Sequence, residues 1–245
     1  LSAWDSVNGY PSVVGFFQQR LTFGGSPYYP NTLWFSKTGD YYNYSETESV
    51  GTSSGIITST GAGVISDSVS ADNAITLTVA SNTVDLIEWL HVGKILVIGS
   101  SGGVFALFGS RNNATLTPFN FTIHRLTTFA TRAGTNAIQI DQKVFFIQDG
   151  GKKLRMLDIS TMEEDIASLD VTFKADNLAV AGIKEIAYQD RPFGVIWCRM
   201  DDGTLLSLTY NPNLEVPTLG WAPHTITGVF GSKAYGQVDS LTVVS

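Results

Sequence analysis

The residue types that most often do chemistry are sparse in this 245-residue chain. Three histidines, His91, His124 and His224, lie far apart, and no two share a metal-ligand spacing. Cys198 is the single cysteine and lies in the apolar run VIWCRM, which predicts a buried, unreactive thiol. The run GSSGG at 99–103 superficially resembles a phosphate-binding loop but lacks the Lys-Ser/Thr ending, so it predicts a turn. We therefore expect no catalytic, cofactor-binding or metal-binding residues, and no enzyme.

Two groups of side chains keep a carbohydrate function open as an alternative. Four carboxylates lie on or near expected strands, where facing pairs could cleave a glycosidic bond: Glu88, Asp141, Glu185 and Asp190. Five tyrosines crowd the first part of the chain, where they could form a sugar-binding platform, a packed cluster or a subunit contact: Tyr28, Tyr29, Tyr41, Tyr42 and Tyr44.

Composition limits the remaining choices. Hydrophobic residues make up 43% and charged residues 15% of the chain, which allows a sizeable core and argues against disorder. The net charge of −7 gives no overall basic surface for holding nucleic acid. No apolar run is long enough for a transmembrane helix, so no membrane segment is expected. Because the chain begins at Leu1, we expect a processed piece or a fragment of a longer protein.

The elements that would position any site form a repeat. Four segments share one plan, an apolar strand, a turn and a second apolar strand, with turns centred on Gly25, Ser101, Gly150 and Asp202. The last two intervals are 49 and 52 residues. The first is 76, but it contains a Ser/Thr/Gly-rich insertion at 46–70, without which about 51 remain. A period near 50 residues is typical of β-propeller blades.

Each hairpin is preceded by a similar leader that would pair with it, and a fifth, incomplete unit follows near the C-terminus. We therefore predict an all-β fold: one β-propeller or partial propeller over 1–245, built from blade units of about 50 residues. The insertion at 46–70 is expected to be a surface loop or small β-appendage. One or two short helices are expected at Thr161–Asp170 and Lys174–Ile183.

The first hairpin and its leader carry a specific resemblance. The stretch YPSVVGFFQQRLTFGGSPYYPNTLWFSKTGDYYNY resembles the hallmark segment of phage tail tubular protein B, the tail nozzle or hub family of short-tailed phages and prophages. The matching positions are Pro11, Phe17, Gln19, Arg20, Leu21, Gly24, Gly25, Pro30, Trp34, Ser36, Gly39, Asp40 and Tyr41.

The similarity continues in order along nearly the whole chain. The segment from 183 to 228 resembles the family's later run of Ala-Tyr-Gln, Pro, apolar-Trp, Asp-Gly, Leu-Thr-Tyr and Trp-x-x-His. Its matching residues are Ala187, Tyr188, Gln189, Pro192, Trp197, Asp202, Gly203, Leu208, Thr209, Tyr210, Trp221 and His224. The family's proteins are usually much longer than this chain.

The resemblance implies a structural virion protein of a phage tail, present in the bacterial cytoplasm during assembly. It implies partnership with other tail proteins and a homo-oligomeric ring, typically a hexamer, around the DNA-ejection channel. DNA would pass through without sequence-specific binding, and contact with the host surface is conceivable. Two other hypotheses do not depend on this resemblance. The alternative function is a carbohydrate-binding or glycan-hydrolysing propeller, and the third hypothesis is a bacterial interaction scaffold unrelated to phage.

Overall fold

The computed structural model describes residues 4–50, 66–79, 84–109, 115–160, 167–211, 218–230 and 233–243. All regular secondary structure in these ranges is β-strand, so the prediction of an all-β fold is confirmed. Four antiparallel sheets of four strands each make up most of the fold. Within the same ranges, no helix is long and apolar enough to cross a membrane.

The first two sheets contain the first two predicted hairpins. Strand order in the first sheet is β1-β2-β3-β6, and β4 and β5 pair separately as a two-stranded ribbon. The second sheet has the order β10-β9-β8-β7. The bounds are β1 (Val13–Phe17), β2 (Arg20–Gly24), β3 (Thr32–Phe35), β4 (Glu48–Val50), β5 (Ser66–Ser68), β6 (Ile75–Thr78), β7 (Ile87–Val92), β8 (Leu96–Ser100), β9 (Gly103–Phe108) and β10 (Thr122–Thr127).

The third and fourth sheets repeat this plan with the orders β11-β12-β13-β14 and β15-β16-β17-β18. A final two-stranded pair, β19-β20, lies where the incomplete fifth unit was expected. The bounds are β11 (Ile138–Ile140), β12 (Lys143–Ile147), β13 (Leu154–Asp158), β14 (Leu169–Asp170), β15 (Ile183–Gln189), β16 (Val195–Met200), β17 (Leu205–Asn211), β18 (Thr218–His224), β19 (Thr227–Phe230) and β20 (Lys233–Tyr235).

The chain divides into two compact units. The first comprises Leu1–Ile87, Val92–Leu96 and Leu107–Ile123, and the second comprises Glu88–His91, Val97–Ala106 and His124–Ser245. In the first unit, β6 alternates buried Ile75 and Leu77 with exposed Thr76 and Thr78, the pattern of a half-buried strand. In the second unit, buried apolar residues of the third and fourth sheets form one continuous core.

Close backbone packing explains one glycine in the second unit. The Trp89 indole is almost completely buried and lies against Gly99, where any Cβ would overlap its ring. Trp89 also packs on Phe146, with ring centroids 6.3 Å apart. Only glycine therefore allows the strand to pass this close to the indole.

The hairpin between β1 and β2 turns on two residues. Phe17 pairs with Arg20, and the intervening Gln18 and Gln19 have φ angles of 48° and 60°. Two consecutive positive φ angles are the geometry of a type I′ turn, whose twist matches that of the flanking strands. Asn-Gly or Asp-Gly is the usual sequence for this turn, so the Gln-Gln pair is held there by other contacts, described below.

The prediction of short helices is wrong where the structure can test it. The segment 174–183 forms separate turns, in which the amides of Ala175, Leu178 and Gly182 each bond to the carbonyl three residues earlier, and Ile183 begins β15. Its Asp176 and Asn177 favour turns over helix interiors. Of the other segment, 161–166 lies outside the described residues, and Leu169–Asp170 forms β14. Of the insertion, 51–65 also lies outside them.

Candidate functional site

The first family-like motif converges on the buried side chain of Arg20. The guanidinium is fully buried and donates to four backbone carbonyls: Ser36 at 2.8 Å, Asn73 at 2.6 Å, Ala71 at 2.9 Å and Asp72 at 3.3 Å. Desolvation lowers the pKa of Arg20, and the charge of Asp72 partly opposes that shift. Arg20 therefore ties the end of β3 to the loop 71–73 that leads into β6.

Neighbouring motif residues complete the same structure. The Ser36 hydroxyl accepts the Leu21 amide at 2.9 Å. The amide of Gly39, which has a φ of 74°, donates to the Gln19 carbonyl at 2.9 Å. Gln18, at the other turn position, accepts the Leu116 amide through Oε1 at 2.7 Å. These contacts hold the Gln-Gln turn in its left-handed conformation.

The remaining residues of the first motif also have structural contacts. Phe17 and Trp34 are buried at 1% and 5% exposure. Asp40 pairs with Lys37 in an isolated bridge and turns the chain after β3. These residues serve packing or turn formation, and Trp34 also lines an open cleft of the first unit.

The second motif forms a comparable assembly on the fourth sheet. Trp197 stacks at a tilt on His224 with ring centroids 5.0 Å apart, and its Nε1 donates to Gln189 Oε1 at 2.8 Å. His224 Nε2 lies 2.8 Å from Ser207 Oγ. Strand register brings the three side chains together, because Ser207 pairs with Trp197 of β16 on one side and with Ala222 of β18 on the other.

The other residues of the second motif shape a turn and a core. Asp202 Oδ1 accepts the Thr204 amide and hydroxyl in the β16–β17 turn, where Gly203 has a φ of 80°. Tyr210 is buried against Phe145, with ring centroids 5.2 Å apart. Trp221 donates through Nε1 to the Val171 carbonyl at 2.9 Å.

The candidate carboxylates are not gathered into one site. Glu185 accepts Arg199 Nε at 3.0 Å, a pairing that uses its charge within the sheet. The pKa of Glu88 is raised because partial burial disfavours its charge and Asp149 repels it, against a lowering by the Gly134 amide. Asp141 and Asp190 do line one cleft of about 540 Å³ in the second unit. The expected cluster of four is therefore reduced to a pair.

The remaining chemistry-bearing residues are held in structural contacts. His91 Nε2 lies 3.1 Å from Gln139 Oε1, and burial lowers the pKa of His91. Cys198 is buried, and desolvation raises the pKa of its thiol far above the usual range. Over the described ranges, no group of three or more His, Cys, Asp or Glu side chains is placed to hold a metal ion.

The run GSSGG also has the serine spacing of a nucleophile motif. Residues 99–103 fit G-x-S-x-G, with Ser101 at the nucleophile position. That motif requires a turn from a strand into a helix, whereas Ser101 lies in the tight turn between β8 and β9. The predicted turn is therefore observed. A second run with this spacing, at 51–55, lies outside the described residues.

An open cleft of about 730 Å³ in the first unit collects several of the flagged tyrosines. Its aromatic lining, called here the aromatic wall, consists of Trp4, Tyr28, Tyr29, Trp34 and Tyr44. Polar side chains share the lining: Asn8, Thr32, Glu46, Thr76 and Thr78. We call the whole site the aromatic cleft. The other two flagged tyrosines, Tyr41 and Tyr42, do not line it.

The rings of the aromatic wall pack edge to face. Tyr28 meets Tyr29 at 5.0 Å, Tyr29 meets Trp34 at 6.2 Å, and Trp34 meets Trp4 at 5.6 Å between centroids. Tyr44 closes the series beside Trp4 at 5.2 Å. Its hydroxyl donates to the Leu21 carbonyl, and burial raises the pKa of Tyr44 to about 12.

Sequence reasoning found the tyrosines of this cleft but not its other members. Trp4 reaches it from before β1, and Thr76 and Thr78 reach it because β6 pairs with β3. The alternating pattern of β6 was the available signal, since it marks two outward threonines.

In comparisons with known proteins, neither a scan against family models nor a search of curated proteins gave a match.

Proposed function

We propose that this chain is a non-catalytic structural component of a phage tail, part of the nozzle or hub ring around the DNA-ejection channel. The observation that carries the proposal is the convergence of the first motif's residues in the folded chain. Residues of the resemblance that are distant in sequence, including Arg20, Ser36 and Gly39, meet in one hydrogen-bonded structure. A motif that determines how a sheet is built is what a family of structural proteins would retain.

We further infer that the four sheets are successive blades of a β-propeller or partial propeller. Each sheet is an antiparallel meander of four strands, taken in chain order apart from the β4–β5 ribbon. Hairpin centres are spaced by about 50 residues once the insertion is set aside. In the assembled tail, copies of the chain would form a ring with other tail proteins through repeated heterologous contacts.

The charge distribution supports a channel wall with low affinity for DNA. The chain carries a net charge of −7, and at least six of its fifteen Lys and Arg side chains are paired with carboxylates, which reduces their attraction for phosphate. DNA whose phosphate backbone is weakly held by the channel wall can slide during ejection. In the described ranges, ion pairs join Lys37 with Glu48 and Asp72, Arg132 with Asp201, Lys143 with Asp158, Lys153 with Asp170, Arg191 with Asp190, and Arg199 with Glu185.

Immunogold labelling of purified phage particles tests the tail assignment. An antibody raised against this chain should label the distal end of the tail, and an antibody against the capsid protein serves as the positional control. Particles released by induction of a host that carries the gene would be used. Label that is absent from the particles, or confined to host debris, would contradict the proposal.

A carbohydrate-binding propeller is the second candidate, favoured by the aromatic cleft. Its glycan-hydrolysing form would require Asp141 and Asp190, which share a cleft, to act as a pair. Release of reducing sugar from a panel of polysaccharides, compared with an Asp141→Asn variant, tests that form. A bacterial scaffold unrelated to phage would instead be indicated by neighbouring genes that encode no tail proteins.

A further inference from the structure

We propose that the aromatic cleft of the first unit binds a neutral oligosaccharide. The proposal concerns binding alone and goes beyond the mechanical role, since a ring protein and a propeller lectin could each carry such a site. It rests on four properties of the cleft: the rigidity of its aromatic wall, its division into aromatic and hydroxyl-bearing sides, its charge, and the solvent exposure of its tyrosine rings.

The exposed part of the aromatic wall is held rigidly by its loop. Tyr28 and Tyr29 lie between two prolines, Pro27 and Pro30, in the connection from β2 to β3. The Tyr29 amide donates to Ser26 Oγ at 3.1 Å, and the Tyr29 carbonyl accepts the Ser26 amide at 3.0 Å. A platform that is ordered before binding loses little conformational entropy when a ligand arrives.

The preceding chain fixes the same loop from the other side. The Tyr28 amide donates to the Asn8 carbonyl at 3.3 Å. Gly9 lies so close to Pro27 that a Cβ at this position would overlap the proline ring. Trp4, which precedes this turn, is thereby kept beside Trp34. Both sides of the aromatic wall are therefore fixed relative to the first sheet.

Hydroxyl groups form the other side of the cleft. Thr76 and Thr78 point away from the core on β6, directly opposite Trp34 and Thr32 of β3. Both β6 threonines are exposed, so their hydroxyls can donate and accept without disturbing the sheet. Glu46 adds a carboxylate that accepts hydrogen bonds only.

This division matches the two sides of a pyranose ring. A sugar presents a face of C–H groups that can lie on an aromatic ring, and an edge of hydroxyl groups that needs hydrogen-bonding partners. An apolar surface with a few convergent polar groups, in a cleft of about 730 Å³, has the usual character of a small-ligand site. Two or more sugar units could therefore be accommodated.

The charges of the cleft select against other ligands that stack on aromatic rings. Among the described residues that line it, Glu46 is the one carboxylate, and none is a lysine or arginine. Nucleotides and acidic sugars would bring a negative charge to this carboxylate in a chain of net charge −7. A lipid chain would leave the threonine hydroxyls unpaired.

The exposure of the wall favours a ligand site over simple packing. Tyr28 is 64% and Tyr29 39% exposed, so their rings are not consumed by the core as Trp34 is. A subunit contact would also cover these rings. The two possibilities differ in the threonine hydroxyls, which an oligosaccharide needs and a hydrophobic contact does not.

Saturation-transfer NMR and calorimetry on the full chain provide the test. The probes are maltotriose, cellotriose and chitotriose, with sialyllactose as the anionic comparison. At least one neutral trisaccharide should bind saturably at millimolar concentration or below, and sialyllactose should bind more weakly. Tyr28→Ala should weaken binding about tenfold, and the Thr76→Val/Thr78→Val double variant by a similar factor.

Tyr42→Ala is the matched control, because Tyr42 is 96% exposed and lies outside the cleft. It should leave affinity unchanged. Absence of binding by every neutral trisaccharide would overturn the proposal, as would an affinity equal to that of the unsubstituted chain in both the Tyr28 variant and the threonine double variant. Loss of an oligomer in Tyr28→Ala by light scattering, without any saccharide binding, would identify a subunit contact instead. Circular dichroism establishes that each variant is folded.

Discussion

Replacing Arg20 with methionine should destabilise the first sheet strongly. Methionine is of similar length and apolar, so it fills much of the same space without donating to any carbonyl. Three of the four lost hydrogen bonds are 2.9 Å or shorter, to Ser36, Asn73 and Ala71. A buried acceptor left unpaired costs roughly 1–3 kcal/mol, which sets a range of about 3–9 kcal/mol for the three.

The expected loss lies near the lower end of that range. Burying the guanidinium is itself unfavourable, as its lowered pKa indicates, and methionine removes this cost. Some carbonyls will also reach water after the loop 71–73 relaxes. We expect a loss of about 4 kcal/mol in the free energy of unfolding, a large fraction of the stability of an ordinary domain.

Urea denaturation followed by tryptophan fluorescence and circular dichroism measures this loss. The stability of Arg20→Lys should lie between that of the unsubstituted chain and that of Arg20→Met, because one ammonium group cannot reach all the acceptors that the planar guanidinium spans. Arg191→Met is the matched control, since the Arg191 side chain is 94% exposed, and should change stability by less than about 0.5 kcal/mol. A loss of under about 1 kcal/mol in Arg20→Met would refute the role assigned to this side chain.

Three further predictions concern the second unit. Gly99→Ala forces a methyl group into the Trp89 ring and should cost about 1–3 kcal/mol by urea denaturation, whereas Gly220→Ala, with no atom closer than 4.0 Å to its Cβ, should be nearly neutral. Cys198, fully buried, should react with a thiol reagent only after unfolding, so rapid reaction of the native chain would contradict its placement. Partial burial raises the pKa of Asp158, but hydrogen bonds lower it to about 2. Its contribution to stability should therefore be present above about pH 4 and lost as the pH falls towards 2, and Asp158→Asn should remove that part of the acid dependence.

Hairpins were the most predictable part of the fold. Each combines two apolar runs with a turn that local sequence specifies, such as Asp202-Gly203, and these signals need no knowledge of distant residues. The fourth strand of each sheet was missed, and two of these strands carry weak local signals, because β14 has two residues and β6 is half polar. Pairing with a hairpin that is already formed, rather than strand propensity, defines these outer strands.

Segment 174–183 shows why the helix prediction failed. Its apolar residues have helix-like spacing, and Leu178 and Ala179 do pack towards the core. Asp176 and Asn177 interrupt the pattern, and the amide bonds close isolated turns instead of a continuous ladder. Burial of a few apolar side chains was sufficient for packing without a helix.

The candidate site residues also fall into those that the sequence predicted and those that it did not. Tyr28 and Tyr29 were predicted because tyrosines are concentrated in this part of the sequence. Trp4 and Thr76 became members of the aromatic cleft only through the fold of the first unit: the alternation of β6 marks Thr76 as outward-facing, but no local signal places either residue beside the tyrosines. The resemblance singled out Arg20, but nothing local in the sequence showed that its buried guanidinium has four carbonyl partners that are distant in sequence.

The proposal of a tail component is tested most directly by a cryo-electron microscopy reconstruction of the intact particle. We predict that several copies of this chain, each contributing its four-stranded sheets, surround the axial channel at the distal end of the tail. A well-resolved tail whose density accommodates no copy of this chain, or a chain located only inside the capsid, would contradict the account.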